Sequence, residues 1–150
     1  MRYLPLLLFL VVTVGGGLLI GATNAPDPWY AALDKPPFNP PDWLFAPVWS
    51  ILYVAVAVAG WRIWRLDDTT GGAMTAWWVQ LGLNFLWSPV FFTLQAPGLA
   101  LAVVLALLAA IVAFILPAWR RDRTAALLFL PYGAWVAFAA LLNASIWWLN

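Results

Sequence analysis

The sequence predicts an all-α integral membrane protein, a bundle of five transmembrane helices, on three observations. Its composition is 65% hydrophobic and only 9% charged, its mean hydropathy is +0.90, and its apolar residues gather into five long stretches divided by polar breaks. Soluble domains are about half apolar and a quarter charged. A crossing needs about 20 apolar residues, so a chain of 150 residues has room for one transmembrane domain, residues 1–150. Unpaired backbone amides are costly in hydrocarbon, and stretches longer than the roughly 10-residue strands of a barrel must therefore be helices.

The first stretch, about 3–22, carries Arg2 before it and a Gly17/Gly21 pair one turn apart. Its apolar run exceeds the roughly 7–15 residues of a signal-peptide core, which favours a retained crossing. A proline-rich segment, 23–42, follows; it holds Pro26, Pro28, Pro36, Pro37, Pro40 and Pro41 with Trp29, Tyr30 and Phe38 between them. Clustered proline stiffens a backbone, and the aromatic rings need burial, so the segment reads as a folded lid over one end of the bundle. Pro40-Pro41-Asp42 makes a helix start with Asp42 as the N-cap.

The second crossing spans about 43–64 and the third about 73–95, where Pro89 should kink the helix. Ala96-Pro97-Gly98 then makes a tight turn into the fourth crossing, about 98–119, and the fifth covers about 124–149. Arg2, Arg62, Arg65, Arg120, Arg121 and Arg123 fall on one side of this topology, with Lys35 alone on the other. By the positive-inside bias the amino terminus is cytoplasmic and the carboxyl terminus outside, in a multi-pass protein of a bacterial cell membrane.

The inventory excludes much chemistry. The chain has no Cys, His or Glu, which removes disulfides, thiolate and imidazole chemistry and any expected metal site. A net charge of +1 without a concentrated basic face argues against nucleic acid. All six acidic residues lie between the apolar stretches, so intramembrane acid–base hydrolysis is not expected.

Aromatic surface is in excess, with 12 Trp. Rings near the ends of crossings, such as Trp43, Trp119 and Trp148, fit an interfacial belt, whereas Trp49, Trp87 and Trp135 lie deeper. In the third crossing Gln80, Asn84, Trp87 and Phe91 recur at spacings of 4, 3 and 4, and in the fifth Tyr132, Trp135, Ala139 and Asn143 at 3, 4 and 4; Trp49 and Tyr53 stand one turn apart in the second. Such stripes either glue helices together through carboxamides and rings or line an amphiphilic cavity for a flat apolar ligand.

These motifs carry a resemblance. Trp29-Tyr30-x-x-Leu33-x-Lys35-Pro36-Pro37-Phe38-Asn39-Pro40-Pro41, Pro47-x-Trp49-x-x-x-Tyr53, Gln80-Leu-x-x-Asn84-x-x-Trp87-x-Pro89-x-Phe91-Phe92 and Pro131-Tyr132-x-x-Trp135 with Asn143 resemble the tryptophan-rich sensory protein / translocator protein (TspO/MBR) family over nearly the whole chain. The resemblance implies a five-helix bundle, commonly a homodimer, that binds porphyrins such as protoporphyrin IX and isoquinoline- or benzodiazepine-type drugs. It places Trp29, Tyr30, Pro40, Trp49, Tyr53, Asn84, Trp87, Phe91, Trp135 and Ala139 around the ligand; the polar stripes add Gln80 and Asn143. Lys35, the lone basic group on its side, is expected to meet porphyrin carboxylates. For the light-dependent porphyrin breakdown linked to the family, Trp49 and Trp135 are the implied pair.

No further cofactor is expected, the porphyrin itself being the ligand. The sterol motif of mitochondrial members is missing, since Leu142 to Trp148 holds neither a Tyr nor a basic residue, so cholesterol is not an expected partner. Facilitated transport of tetrapyrroles or sterols is a further reading; ion-coupled transport is disfavoured because the crossings carry no buried charge.

Overall fold

The computed structural model describes residues 2–24, 27–66 and 72–150. Ala25 and Pro26 of the proline-rich segment, and Asp67 and Asp68 of the break before the third crossing, lie outside the described residues. Among the described residues the protein is all-helical, with six helices. α1 is Leu4–Thr23, widened to π geometry at Val11–Gly15; α2 is the short Pro28–Ala32; α3 is Asp42–Trp64. α4 runs as α-helix over Ala73–Ser88 and continues as a π-turn over Pro89–Thr93; α5 is Pro97–Arg121 and α6 is Arg123–Leu149.

Four of these, α1, α3, α5 and α6, are long and apolar enough to cross a membrane. The third expected crossing departs from the sequence reading: its α-helical part is 16 residues. The cause is Pro89, which has no N–H for the carbonyl four residues earlier. The chain answers by widening, and Leu94 N donates to Pro89 O at 2.9 Å and Ala96 N to Val90 O at 3.1 Å. The turn into α5 then passes through Gln95 in the left-handed region (φ 51°). The start of α3 is also corrected: Pro41 occupies the cap position and Asp42 sits inside the first turn, where its charge favours the helix dipole.

The end of the bundle that gathers the arginines is sealed. Trp77 is 0% exposed, donates its indole N–H to Val56 O at 2.9 Å, and lies edge-on to Phe9. Gly60 makes room for it, since a Cβ there would stand 2.5 Å from the Trp77 ring. Phe114 and Phe129, both fully buried, stack with centroids 4.0 Å apart and join α5 to α6. Arg62 closes the end: its Nε and Nη2 donate to the two oxygens of Asp122 at 2.8 and 3.2 Å. Asp122 also caps α6 by accepting from the Thr124 and Ala125 amides.

The opposite end is covered by the proline-rich loop. Asp27 caps α2 through the Tyr30 amide, Tyr30 is 8% exposed, and its ring meets Phe91 and Phe92 on the π-turn. Asn150 holds the loop by two reciprocal bonds, accepting from Asp34 N at 3.1 Å and donating to Asp34 O at 3.0 Å. The outer faces are apolar and exposed, as at Leu19 and Leu116, which is what contact with lipid requires.

Candidate ligand-binding cavity

Beneath the loop, between the loop-end halves of the long helices, lies a cavity of about 560 Å³. The size suits a small-molecule site, whose volumes run about 300–1,000 Å³. Helical periodicity builds its walls. Steps of four residues aim Phe45, Trp49 and Tyr53 of α3 inward, and the same steps aim Trp135, Ala139 and Asn143 of α6. α4 contributes Asn84, Trp87 and Phe91, α5 contributes Val104 and Leu107, and the loop contributes Tyr30 and Asn39. α1 closes the last side with Val14, Gly17 and Gly21; Gly17 abuts the Tyr53 ring with no space for a side chain.

The rings brace one another around this space. Trp49 stacks on Tyr53 at 5.5 Å and meets Trp135 nearly at a right angle, centroids 6.5 Å apart. Trp87 stacks on Phe91 at 5.1 Å. Interlocked rings and open volume therefore coexist, because each ring is supported from behind by a neighbour on its own or an adjacent helix. Ala139, small between Trp135 and Asn143, leaves part of the volume free.

Polar groups of the wall are tied into two networks. Trp87 Nε1 donates to Asn143 Oδ1 at 2.9 Å, and Asn143 Nδ2 donates to Pro97 O at 2.8 Å, linking α4, α6 and α5. On the other side Tyr53 Oη donates to Asn84 Oδ1 at 2.8 Å, Asn84 Nδ2 to Tyr132 Oη at 2.7 Å, and Tyr132 Oη to Gln80 Oε1 at 2.7 Å. Carboxamides thus serve as interhelical glue and as cavity wall at once. Among the described residues the buried Nε1 of Trp135, Nε2 of Gln80 and Oδ1 of Asn39 have no hydrogen-bond partner.

Of the residues singled out in the sequence, Tyr30, Trp49, Tyr53, Asn84, Trp87, Phe91, Trp135, Ala139 and Asn143 border the cavity. The others stand elsewhere. Gln80 is fully buried behind Tyr132. Trp29 packs edge-on against Phe91 from the loop, and Pro40 receives a 3.5 Å contact from Asn39 Nδ2. Lys35 places Nζ 4.6 Å from the Tyr30 ring centroid and donates to Leu33 O at 3.2 Å. The sequence reading missed the α1 wall, Phe45, Asn39 and Asp42. Gly15-Gly16-Gly17 with Gly21 was the one signal that α1 comes close to other rings; nothing in its uniformly apolar run marks an inward face.

Among the described residues Asp42 is the charged one of the lining. Burial, and then the Asp42 charge, push the Tyr30 phenol above its ordinary range against a bond from Asn39 that acts in the other direction, so Tyr30 presents a neutral hydroxyl. No group of three or more metal-ligating side chains is assembled among the described residues. What the cavity can do is hold an apolar molecule by dispersion and contact with its rings, with few polar points to orient it.

These features define a class: a multi-pass helical membrane protein with an aromatic-walled cavity beneath a loop at one end. Residues 7–149 match the model of the TspO/MBR family, and the chain belongs to that family. It is similar to the tryptophan-rich protein TspO of Archaeoglobus fulgidus, 41% identical over 81% of this chain and 80% of that protein. The tryptophan-rich sensory protein of Cereibacter sphaeroides is 36% identical over 97% and 91%, and the translocator protein of Ovis aries 41% identical over 79% and 73%.

Proposed function

We propose that the protein is a membrane receptor or sensor that takes a planar tetrapyrrole, with protoporphyrin IX as the model ligand, or an isoquinoline- or benzodiazepine-type molecule, into the cavity beneath the loop. The observation that carries this is the cavity of about 560 Å³ walled by Trp49, Trp87 and Trp135, rings placed where an interfacial belt does not require them. A relative named as a sensory protein supports a signalling role, with the loop as the element that responds. Porphyrin carboxylates would stay at the mouth, because among the described residues the walls carry no cation and burying an unpaired carboxylate is costly; Lys35, beside Tyr30, is a cation to meet them.

The proposal includes α4 as a fifth crossing. Its α and π parts together, residues 73–93, extend about 30 Å, the thickness of the hydrocarbon. With five crossings the arginine-rich end faces the cytoplasm of a bacterial cell and the loop faces outside; a homodimer is the proposed working form.

Quenching of tryptophan fluorescence by protoporphyrin IX in detergent tests the site. Replacing Trp49 and Trp135 together by Phe should weaken binding at least about tenfold, the loss of about 1.4 kcal/mol expected from two large aromatic contacts. Unchanged affinity would overturn the placement. A second reading, light-dependent breakdown of the bound porphyrin, is favoured by one observation: Trp49 and Trp135 stand 6.5 Å apart on the same cavity, so an excited ligand would lie against two oxidisable indoles. Identical products and rates for free and bound porphyrin under illumination would remove it.

A further inference from the structure

We propose that Gln80 and Tyr132, neither of which borders the cavity, set whether the Tyr53 hydroxyl accepts or donates a hydrogen bond to a ligand, through a chain of hydrogen bonds whose direction can be inverted. The proposal rests on reading the cavity as a ligand site. The chain runs Tyr53 to Asn84 at 2.8 Å, Asn84 to Tyr132 at 2.7 Å, and Tyr132 to Gln80 at 2.7 Å. It ends on Gln80 Nε2, which has no partner among the described residues on a side chain 0% exposed.

Every member of this chain can both give and take a hydrogen: a hydroxyl carries one donor and two lone pairs, and a carboxamide carries an acceptor on one side and donors on the other. Turning both amides over by half a turn keeps the three heavy-atom contacts and inverts each one. Gln80 then donates to Tyr132, Tyr132 to Asn84 Oδ1, and Asn84 to Tyr53. The second network of the wall has no such freedom. Its indole only donates and its terminal backbone carbonyl only accepts, so Trp87, Asn143 and Pro97 are bonded in one direction.

The two directions differ at their ends. As seen, Tyr53 offers lone pairs to the cavity and the buried end strands an NH₂ group. Inverted, Tyr53 offers its O–H and the buried end strands a carbonyl oxygen, the less exceptional of the two orphans. The buried end therefore favours inversion, and an O–H turned toward apolar walls without a partner opposes it. A ligand that brings an acceptor to Tyr53 removes the opposition; a ligand that brings an N–H keeps the present direction. Gln80 and Tyr132 are thus positioning residues that tune the chemical class of ligand, and the chain carries the identity of the ligand from the cavity to the packed core beside α4.

Two flat, neutral tricyclic probes of nearly equal size separate the cases: 9-fluorenone, which only accepts, and carbazole, which donates through its N–H. Gln80→Met removes the acceptor at the buried end, so Tyr132 must turn its hydrogen to Asn84. The fluorenone-to-carbazole affinity ratio should rise about three- to tenfold, the worth of one neutral hydrogen bond. The rise should vanish in a Tyr53→Phe or a Tyr132→Phe background. A readout without ligand accompanies it: in isotope-edited infrared spectra, with Tyr53 assigned by subtracting the Tyr53→Phe spectrum, the Tyr53 C–O band should move from its donor to its acceptor position in Gln80→Met. Gln80→Leu, expected to give the same sign, serves where the Met variant does not fold. A Tyr53 band that stays in place in a folded Gln80 variant overturns the proposal, whether or not the probes bind. If neither probe nor porphyrin binds the parent protein, the ligand-site reading falls, and the infrared band still decides the chain.

Discussion

The two ends of the bundle are made of the same materials and packed differently. At the arginine-rich end Trp77, Phe114 and Phe129 are fully buried, the indole N–H of Trp77 is satisfied by a backbone carbonyl, and a salt bridge ties α3 to the turn before α6. At the loop end Trp49, Trp87 and Trp135 stay partly exposed around an open volume, and the Trp135 N–H is unpartnered among the described residues. Tryptophan content therefore does not separate scaffold from site. What separates them is whether the ring's neighbours fill the far side, and the sealed half supplies the rigidity that lets the other half keep a void.

A matched pair of substitutions breaks this comparison most directly. Gly60→Ala forces a Cβ to within 2.5 Å of Trp77, a ring with no free space to move into, and should cost about 2–3 kcal/mol, read as a large fall in thermal unfolding temperature in detergent. Gly17→Ala pushes on Tyr53, which borders the cavity and can retreat into it. Its stability cost should be smaller, about 1 kcal/mol, while protoporphyrin affinity drops. Equal losses of stability would show that the two halves are equally packed.

The salt bridge is expected to have a smaller, pH-dependent effect. Burial disfavours the Asp122 charge, but bonds from Arg62 and from the Ala125 and Thr124 amides outweigh it and hold the carboxyl below its ordinary value. A lowered folded-state pKa means stability that is present above the unfolded carboxylate range and lost as pH falls through the lower folded value. Unfolding temperature should decline in the acid range below about pH 4, and Asp122→Asn should flatten that decline at a cost near neutrality of about 1 kcal/mol. The smallest change belongs to a glycine that touches nothing: Gly82 has open space around its Cβ position, and Gly82→Ala should stabilise α4 by about 0.5 kcal/mol through lower chain entropy.

Much of this architecture is written in residue order. Gaps between charges marked the long helices, and the bounds of α3, α5 and α6 fall within two residues of the expected ones. Pro89 announced a disturbance of its helix, although not its form; a π-turn depends on which carbonyls find new partners, and no local pattern encodes that. The four-residue steps of α3 and α6 made Trp49, Tyr53, Trp135, Ala139 and Asn143 legible as one wall. Gln80 shared a stripe with Asn84 and Trp87 yet lies below the cavity, because a helix face is longer than the void it passes. The α1 wall was illegible for the reason that apolar side chains facing lipid and facing a cavity look alike. The Arg62–Asp122 bridge, between residues 60 positions apart, needed the fold to bring it together.

The paired bonds between Asp34 and Asn150 have a practical consequence. They make a hoop of the chain, in which the backbone at Asp34 is strapped to the far tip of the final helix. A spectroscopic tag on Asn150 would consequently ride with the strap and report its movement without any label inside the cavity.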